Sequence, residues 1–369
     1  MTERGNAPGP MRRRGPRPLL LHLMLSQLSN AGSPSSNAAW PNAAPDPALL
    51  AGIAAYRRHP YQRDLPDPPV LWSDGGCRLL DYGNGDGLAV LFVPSLVNRA
   101  YVLDLRPEAS AMRFLARNGV RPLLLDWGWP GPVERTFTLT DYVLGRLAAA
   151  VASVAGPVVL AGYCMGGLLA LASAQLRPEP VRGLALLATP WDFHAPSPAP
   201  AHRLAAALPW LDPVLTATGT LPVDTLQAMF ALLDPPLVPA KYRAFAGLPP
   251  GSDRARQFVA LEDWLNDGVP LAAPVARECI GGWYGANSTV AGGWMIGGTT
   301  VDPARVRVPA FVAIPERDRI VPAESARALA AALPDATVHA PGAGHVGMVA
   351  GRRAEGELWL PLLGWLEGL

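Results

Sequence analysis

One stretch constrains the fold more than any other: VVLAGYCMGGLLALASAQ, from Val158 to Gln175. An apolar run ends at Ala161, a Gly-Tyr-Cys-Met-Gly-Gly turn follows, and a small-residue helical pattern begins at once. A run with no polar alternation is a strand buried on both faces, as in a parallel sheet under helices. A strand, a Gly-x-nucleophile-x-Gly turn and a helix in direct succession are the parts of a nucleophile elbow. Alone, G-x-C-x-G is short, and Cys164 reads equally as a small hydrophobe beside glycines or as a nucleophile. Its neighbours in the chain decide between the two.

The rest of the chain repeats the same rhythm. Strands are expected at CRLLDYG (from Cys77), LAVLFVP (from Leu88), RPLLLDW (from Arg121) and VRGLALLATP (from Val181), with helices over Glu108–Asn118 and Thr140–Val154. From Phe193 to about Thr300 the rhythm stops in a stretch rich in Pro, Trp and short helical patterns. It resumes with a strand at VPAFVAIPE, a helix over Ala323–Leu333, a strand at ATVHAP and a closing helix over Glu355–Leu366. Strand and helix in turn give an α/β fold. The expected architecture is an α/β-hydrolase fold, a mostly parallel sheet flanked by helices with an inserted, mainly helical cap. Its expected divisions are a weakly ordered leader at 1–45, a first core segment at 46–192, the cap at 193–300 and a second core segment at 301–369.

The glycines of the turn have a mechanical task. A nucleophile at such a turn sits in a strained backbone conformation, and side chains at Gly162 and Gly166 would clash with strand and helix; Gly167 allows close helix packing. The helix start offers unpaired N–H groups that favour a thiolate. The Met165 N–H, first after the nucleophile, would donate to an oxyanion. This fold expects an acid after a late strand and a histidine near the C-terminus. Asp318, in RDRIVP, follows the VPAFVAIPE strand, with Glu316 its nearest competitor. Of six histidines, only His345 follows the last strand in a glycine-rich loop. In these positions His345 takes the Cys164 proton and Asp318 fixes the imidazole. A second oxyanion donor is expected from the VPSLVN loop, at the backbone of Leu96, Val97 or Asn98.

Composition narrows the classes of function. Half of the 369 residues are hydrophobic and 17% are charged, and the net charge of +1 gives no electrostatic case for nucleic acid. Cys77, Cys164 and Cys279 are too few and too widely spaced for a zinc pattern or a disulfide framework, and imply free thiols in a reducing compartment. No metal cluster and no nucleotide loop is expected: GNGDG lacks the Lys-Ser/Thr of a phosphate loop. The leader RRRGPRPLLLHLML has the basic start and apolar run of a signal peptide. His22, Ser26 and Gln27 interrupt that run, which favours a short amphipathic helix docked on the domain, a partner or a lipid surface. The run is also far shorter than the roughly 20 residues of a membrane span.

Five segments, in order, resemble polyhydroxyalkanoate (PHA) synthases over about Leu71 to Gly351. VPSLVNRAYVLDLRP resembles that family's Val-Pro-Pro-x-Ile-Asn and Tyr-Ile-Leu-Asp-Leu segment, and LLDWGWPG its Asp-Trp-Gly-x-Pro run. GYCMGG is similar to its lipase-like box with Cys for Ser, TPWDF to its Thr-Pro-x-Asp-Phe, and DRIVP with GAGHVGMVAG to its catalytic Asp and His loops. The resemblance implies a Cys164–His345–Asp318 triad with backbone oxyanion donors at Met165 and Val97. It also implies a place near a dimer contact for Trp264. Ser95 and Arg319 stand where the family commonly has Pro and His. With about 70 residues before the catalytic domain, the chain is similar to short synthases, which work with a partner subunit. The implied activity is polymerisation of 3-hydroxyacyl-CoA thioesters through an acyl-cysteine, with release of CoA and no cofactor. Expected partners are hydroxyacyl-CoA, the growing polyester, and an accessory subunit or second copy, in the cytoplasm or at a polyester granule surface. The alternatives on the same fold are an esterase, thioesterase or polyester depolymerase, and a non-catalytic scaffold at a granule or lipid surface.

Overall fold

The computed structural model describes residues 13–30, 46–83, 85 and 87–369. These fall into two compact units, one holding the described residues up to Arg63 with Gln227–Asn266, the other Asp64–Leu226 with Asp267–Leu369.

The larger unit is built on an eight-stranded sheet: β1 (Val70–Asp74), β2 (Cys77–Asp81), β3 (Leu88–Val93), β4 (Val120–Asp126), β5 (Val158–Tyr163), β6 (Val181–Leu187), β7 (Ala310–Ala313) and β8 (Ala336–His339). Their spatial order is β1-β2-β4-β3-β5-β6-β7-β8. The β1–β2 and β2–β4 pairs are antiparallel, and every other pair is parallel. The sequence explains the layering. All residues of β5 and β7 are buried, because each strand runs between helices and has no polar face. β8, at the sheet edge, alternates less cleanly and leaves Val338 exposed. Strand order reverses between β3 and β5, so their C-terminal ends flank the crevice where open α/β sheets place their ligands.

Two expected helices differ in detail. The one expected from Glu108 starts at Ala111, because Ser110 caps it by accepting from the Arg113 N–H at 3.0 Å. Ala109–Ser110 instead pairs with Asp104–Arg106 as a short ribbon. The helix expected over Thr140–Val154 is π-helical at Asp141–Leu147 and then α-helical at Ala148–Ala152. The region expected to lack strands also carries the two-residue pairs Thr220–Leu221 with Leu271–Ala272 and Met295–Ile296 with Thr299–Thr300.

The smaller unit packs helices Pro47–Arg58, Leu237–Ala246 and Asp253–Asn266 around Leu49, Ile53, Tyr56, Tyr242, Phe245, Ala255 and Val259. Asp46 caps the first of these by accepting from the Ala48 and Leu49 N–H groups. A Cβ at Gly52 would overlap the Tyr242 carbonyl, so two helices meet backbone to backbone there. Residues 227–266 of the expected cap thus group with N-terminal residues. Part of the expected leader is structured: helix Leu19–Asn30 lays Leu19 and Leu23 on this core, and Arg13 forms a bidentate ion pair with Asp263 at 2.6 and 2.7 Å. The rest of that leader, 1–12 and 31–45, lies outside the described residues. Trp264 is buried within this one chain, so its side chain is core and not an exposed contact. Among the described residues no helix is long and apolar enough to cross a membrane.

Candidate active site

β5 delivers Cys164 to the C-terminal edge of the sheet, and helix Met165–Leu176 begins at the next residue. Cys164 has φ 56° and ψ −127°, outside the regions a side-chain-bearing residue favours, at a cost of about 1–3 kcal/mol. The surroundings hold it there. Its N–H donates to the Leu187 carbonyl of β6 at 2.8 Å, and its own carbonyl accepts from the Gly167 N–H at 2.9 Å. A Cβ at Gly162 would overlap the backbone of Gly167, and one at Gly166 the Val93 carbonyl at the end of β3. Both glycines are therefore required by close backbone approach.

The expected acid and base meet. Past β7 and β8 the ladder continues into the loops: Ile314 N–H donates to His339 O (2.8 Å), Glu316 to Pro341 (3.0 Å) and Arg317 to Ala343 (3.1 Å). These bonds set Asp318 opposite His345. Asp318 Oδ1 accepts from the Ile320 and Val321 N–H groups at 2.8 and 2.9 Å, and Oδ2 accepts from His345 Nδ1 at 2.6 Å. The Asp318 carboxylate is fully buried, whereas Glu316 is exposed. With Nδ1 engaged, Nε2 is the His345 nitrogen left for the hydrogen bond with Cys164. Burial pulls the His345 pKa down, but the Cys164 charge, the Asp318 hydrogen bond, the Cys164 hydrogen bond and the Asp318 charge together raise it from 6.5 to about 10.

A further residue was not visible in the sequence. Tyr163, the unspecified position before the cysteine, is buried, donates its hydroxyl to the His345 carbonyl at 3.2 Å and lays its ring 5.1 Å from the imidazole. Burial above all, then the Cys164 and Asp318 charges, holds its hydroxyl protonated. Its partner is 182 positions away, so no local spacing announces it.

Met165 and Val97 lie on the two segments that Gly166 brings together. Met165 opens the elbow helix, and Val97 follows β3 in the loop whose Val93 carbonyl rests on Gly166. The Val97 N–H meets Ser95 Oγ at a long 3.4 Å, while the Val97 carbonyl accepts from Val269 N–H at 3.1 Å. Asn98 pairs with Gly268 in an antiparallel bridge.

The Trp-rich stretch from Trp283 to Trp294 forms an aromatic cluster. Phe193 stacks on Trp283 at 5.5 Å and meets Tyr284 edge-on at 4.9 Å, and Trp283 meets Trp294 edge-on at 5.5 Å. Trp283 and Trp294 are buried; Tyr284 is half-buried, and burial above all, then Cys164 and Cys279, holds its hydroxyl protonated. All three cysteines are free thiols, with Cys77 and Cys279 buried and Cys164 half-buried. Among the described residues no three His, Cys, Asp or Glu side chains are grouped to hold a metal.

A family model of the α/β hydrolase fold matches residues 152–351. The monoacylglycerol lipase of Paleococcus ferrophilus superposes with a TM-score of 0.52 at 17% identity, covering 79% of this chain and 98% of its own, a likeness of fold alone. The poly(3-hydroxyalkanoate) polymerase subunit PhaC of Allochromatium vinosum is 31% identical over 291 residues, 75% of this chain and 80% of that protein. Its counterpart in Synechocystis is 31% identical over 295 residues, 76% of this chain and 78% of that protein. With that identity spread over most of both proteins, this chain belongs to the PhaC family of poly(3-hydroxyalkanoate) polymerase subunits, within the α/β hydrolase fold.

Proposed function

We propose that the chain is a PHA synthase, a cysteine acyltransferase that joins 3-hydroxyacyl groups from CoA thioesters into polyester through an acyl-Cys164 intermediate. The observation that carries this reading is Cys164 on a positive-φ turn beside a His345–Asp318 pair at 2.6 Å, in a chain 31% identical to PhaC subunits. The names of those relatives favour polymerisation over the esterase, thioesterase or depolymerase alternative.

In the proposed cycle the Cys164 thiolate attacks the thioester carbonyl, and a new C–S bond forms. The C–S bond to CoA then breaks, and CoA leaves with the proton of the His345 imidazolium. One thioester replaces another, so the step is nearly balanced. The Met165 and Val97 N–H groups are assigned to the transient oxyanion.

Electrostatics then prepares the second half. Acylation removes the thiolate charge, the largest of the influences that hold His345 protonated against burial. Asp318 remains, so the imidazole keeps its orientation while its proton affinity falls. Neutral His345 accepts the proton from the hydroxyl of a second hydroxyacyl group as that oxygen attacks acyl-Cys164. The new ester leaves, and the thiolate–imidazolium pair returns. Water would compete with that hydroxyl, and a wall built by the Phe193, Trp283, Tyr284 and Trp294 cluster is assigned to its exclusion. The expected setting is the cytoplasm or a granule surface. The relatives' description as subunits supports an accessory chain or a second copy as partner.

The test is CoA release from 3-hydroxybutyryl-CoA, with polymer as product and mass spectrometry of Cys164. Cys164→Ala should abolish both the adduct and CoA release; equal release from the variant and the unmodified protein would sink the reading.

A further inference from the structure

Trp127, directly after β4, reaches the loop carrying Val97 with its one polar atom. Its indole Nε1–H donates to the Pro94 carbonyl at 2.9 Å. The ring itself is buried and held edge-on by Tyr142, at 5.4 Å between centroids and 89° between planes.

The bond falls at a sensitive place. Proline has its φ locked by the ring, so the orientation of the Pro94 carbonyl is set by ψ alone. A Cβ at Gly166 would come within 2.6 Å of that same carbonyl oxygen, so Pro94 sits between the indole and the elbow. At the other end the Val97 carbonyl is held by the Val269 N–H at 3.1 Å, and Asn98 by its bridge to Gly268. Leu96, between the two anchors, is buried. The Val97 N–H, which meets Ser95 Oγ only at a long 3.4 Å, thus sits on a short segment clamped at both ends, with Trp127 as one clamp.

We propose that Trp127 is a positioning residue for acylation: its indole N–H fixes the Pro94 carbonyl and thereby aims the Val97 N–H at the oxyanion. This rests on the acyltransferase reading above. The ring's packing and the N–H's task are separable, because Trp127→Phe keeps an aromatic ring against Tyr142 while removing the donor, and the volume it also loses would affect both of the reactions compared below. Alkylation of Cys164 by iodoacetamide passes through no oxyanion, whereas acylation by 3-hydroxybutyryl-CoA does.

The experiment compares both rates on the full chain, following Cys164 by rapid-quench mass spectrometry. In Trp127→Phe, acylation slows by about tenfold or more with KM unchanged, while the alkylation rate stays within about twofold. Acylation at the unmodified rate overturns the proposal, and so does an equal loss in both rates, which marks a merely structural tryptophan. Should the Phe variant not fold, 3-benzothienylalanine at position 127 keeps the indole's shape without its donor and is read by the same criteria. Failure of the unmodified protein to acylate overturns the acyltransferase reading and this proposal together. Normal acylation in both proteins overturns this proposal alone.

Discussion

Asp318→Asn isolates the carboxylate's charge from its shape. The amide oxygen can still accept from the Ile320 and Val321 N–H groups, so the loop keeps its anchors. The amide nitrogen then faces His345 Nδ1, where the carboxylate had accepted at 2.6 Å. Two donors cannot face each other, so the imidazole is driven to carry its proton on Nε2, the nitrogen that should receive one. The size of the effect follows from the rise of the His345 pKa from 6.5 to about 10, which is worth about 5 kcal/mol of imidazolium stabilisation. Cys164 and Asp318 share that work against burial. Losing a charge-assisted hydrogen bond worth about 2 kcal/mol slows single-turnover acylation by about 30-fold. The same loss lowers the pH up to which the imidazolium persists by about 1.5 units, so the alkaline limb of the acylation profile moves down. The assay is stopped-flow release of the first equivalent of CoA between pH 6 and 10, with thermal unfolding as a check that the loop is intact. A variant that acylates within about threefold of the unmodified rate, with an unmoved alkaline limb, would refute both the proton path and its electrostatic origin.

Iodoacetamide at neutral pH should alkylate Cys164 well before the other two thiols, since Cys77 is buried and pushed up to about 12 by burial, Asp126 and Glu134, and burial and then Glu278 push Cys279 well above its ordinary value. A peptide map with equal labelling of the three would contradict this. Gly166→Ala sets a Cβ against the Val93 carbonyl and should cost about 3 kcal/mol or more in urea unfolding; an unchanged midpoint would show that the elbow helix and the end of β3 can part freely. His22 is buried, with Nε2 donating to the Arg17 carbonyl and Nδ1 without a partner; burial and Lys241 lower its pKa. The unfolded chain therefore takes up this proton first as the pH falls, and the stability His22 leaves intact above about 6.5 is lost as the pH falls through the folded value. Hydrogen exchange in helix Leu19–Asn30, taken relative to the intrinsic amide rate at each pH, should accordingly rise between pH 7.5 and 5.5, and His22→Phe should flatten that response; identical profiles would assign the loosening elsewhere.

What could be read along the chain was what is set by neighbours in the chain. The buried strands announce themselves because a strand covered on both faces has no polar positions, as in VVLAGY. The elbow is legible because Gly162 and Gly166 must lie two residues either side of Cys164 for the backbones to meet. Asp318 and His345 are legible by order, each following a strand of the same sheet. The unreadable parts are those settled by distant partners. Tyr163 and Trp127 are ordinary large residues until their polar atoms find the His345 and Pro94 carbonyls. The apolar pattern of Thr140–Val154 has helical period, yet nothing in a period of 3.6 separates α from π winding over seven residues. The leader shows the clearest physical cause. His22 and Ser26 read as breaks in an apolar run, but Ser26 is satisfied by the Leu23 carbonyl and His22 meets the Arg17 carbonyl through one ring nitrogen, and both are buried. Arg13, which composition assigns to a basic tail, is matched to Asp263, 250 positions later. A polar residue counts against burial only until its partner is known. That asymmetry explains why a docked N-terminal helix could be expected from its own pattern, while its place in the smaller unit, fixed by partners as distant as Asp263, could not.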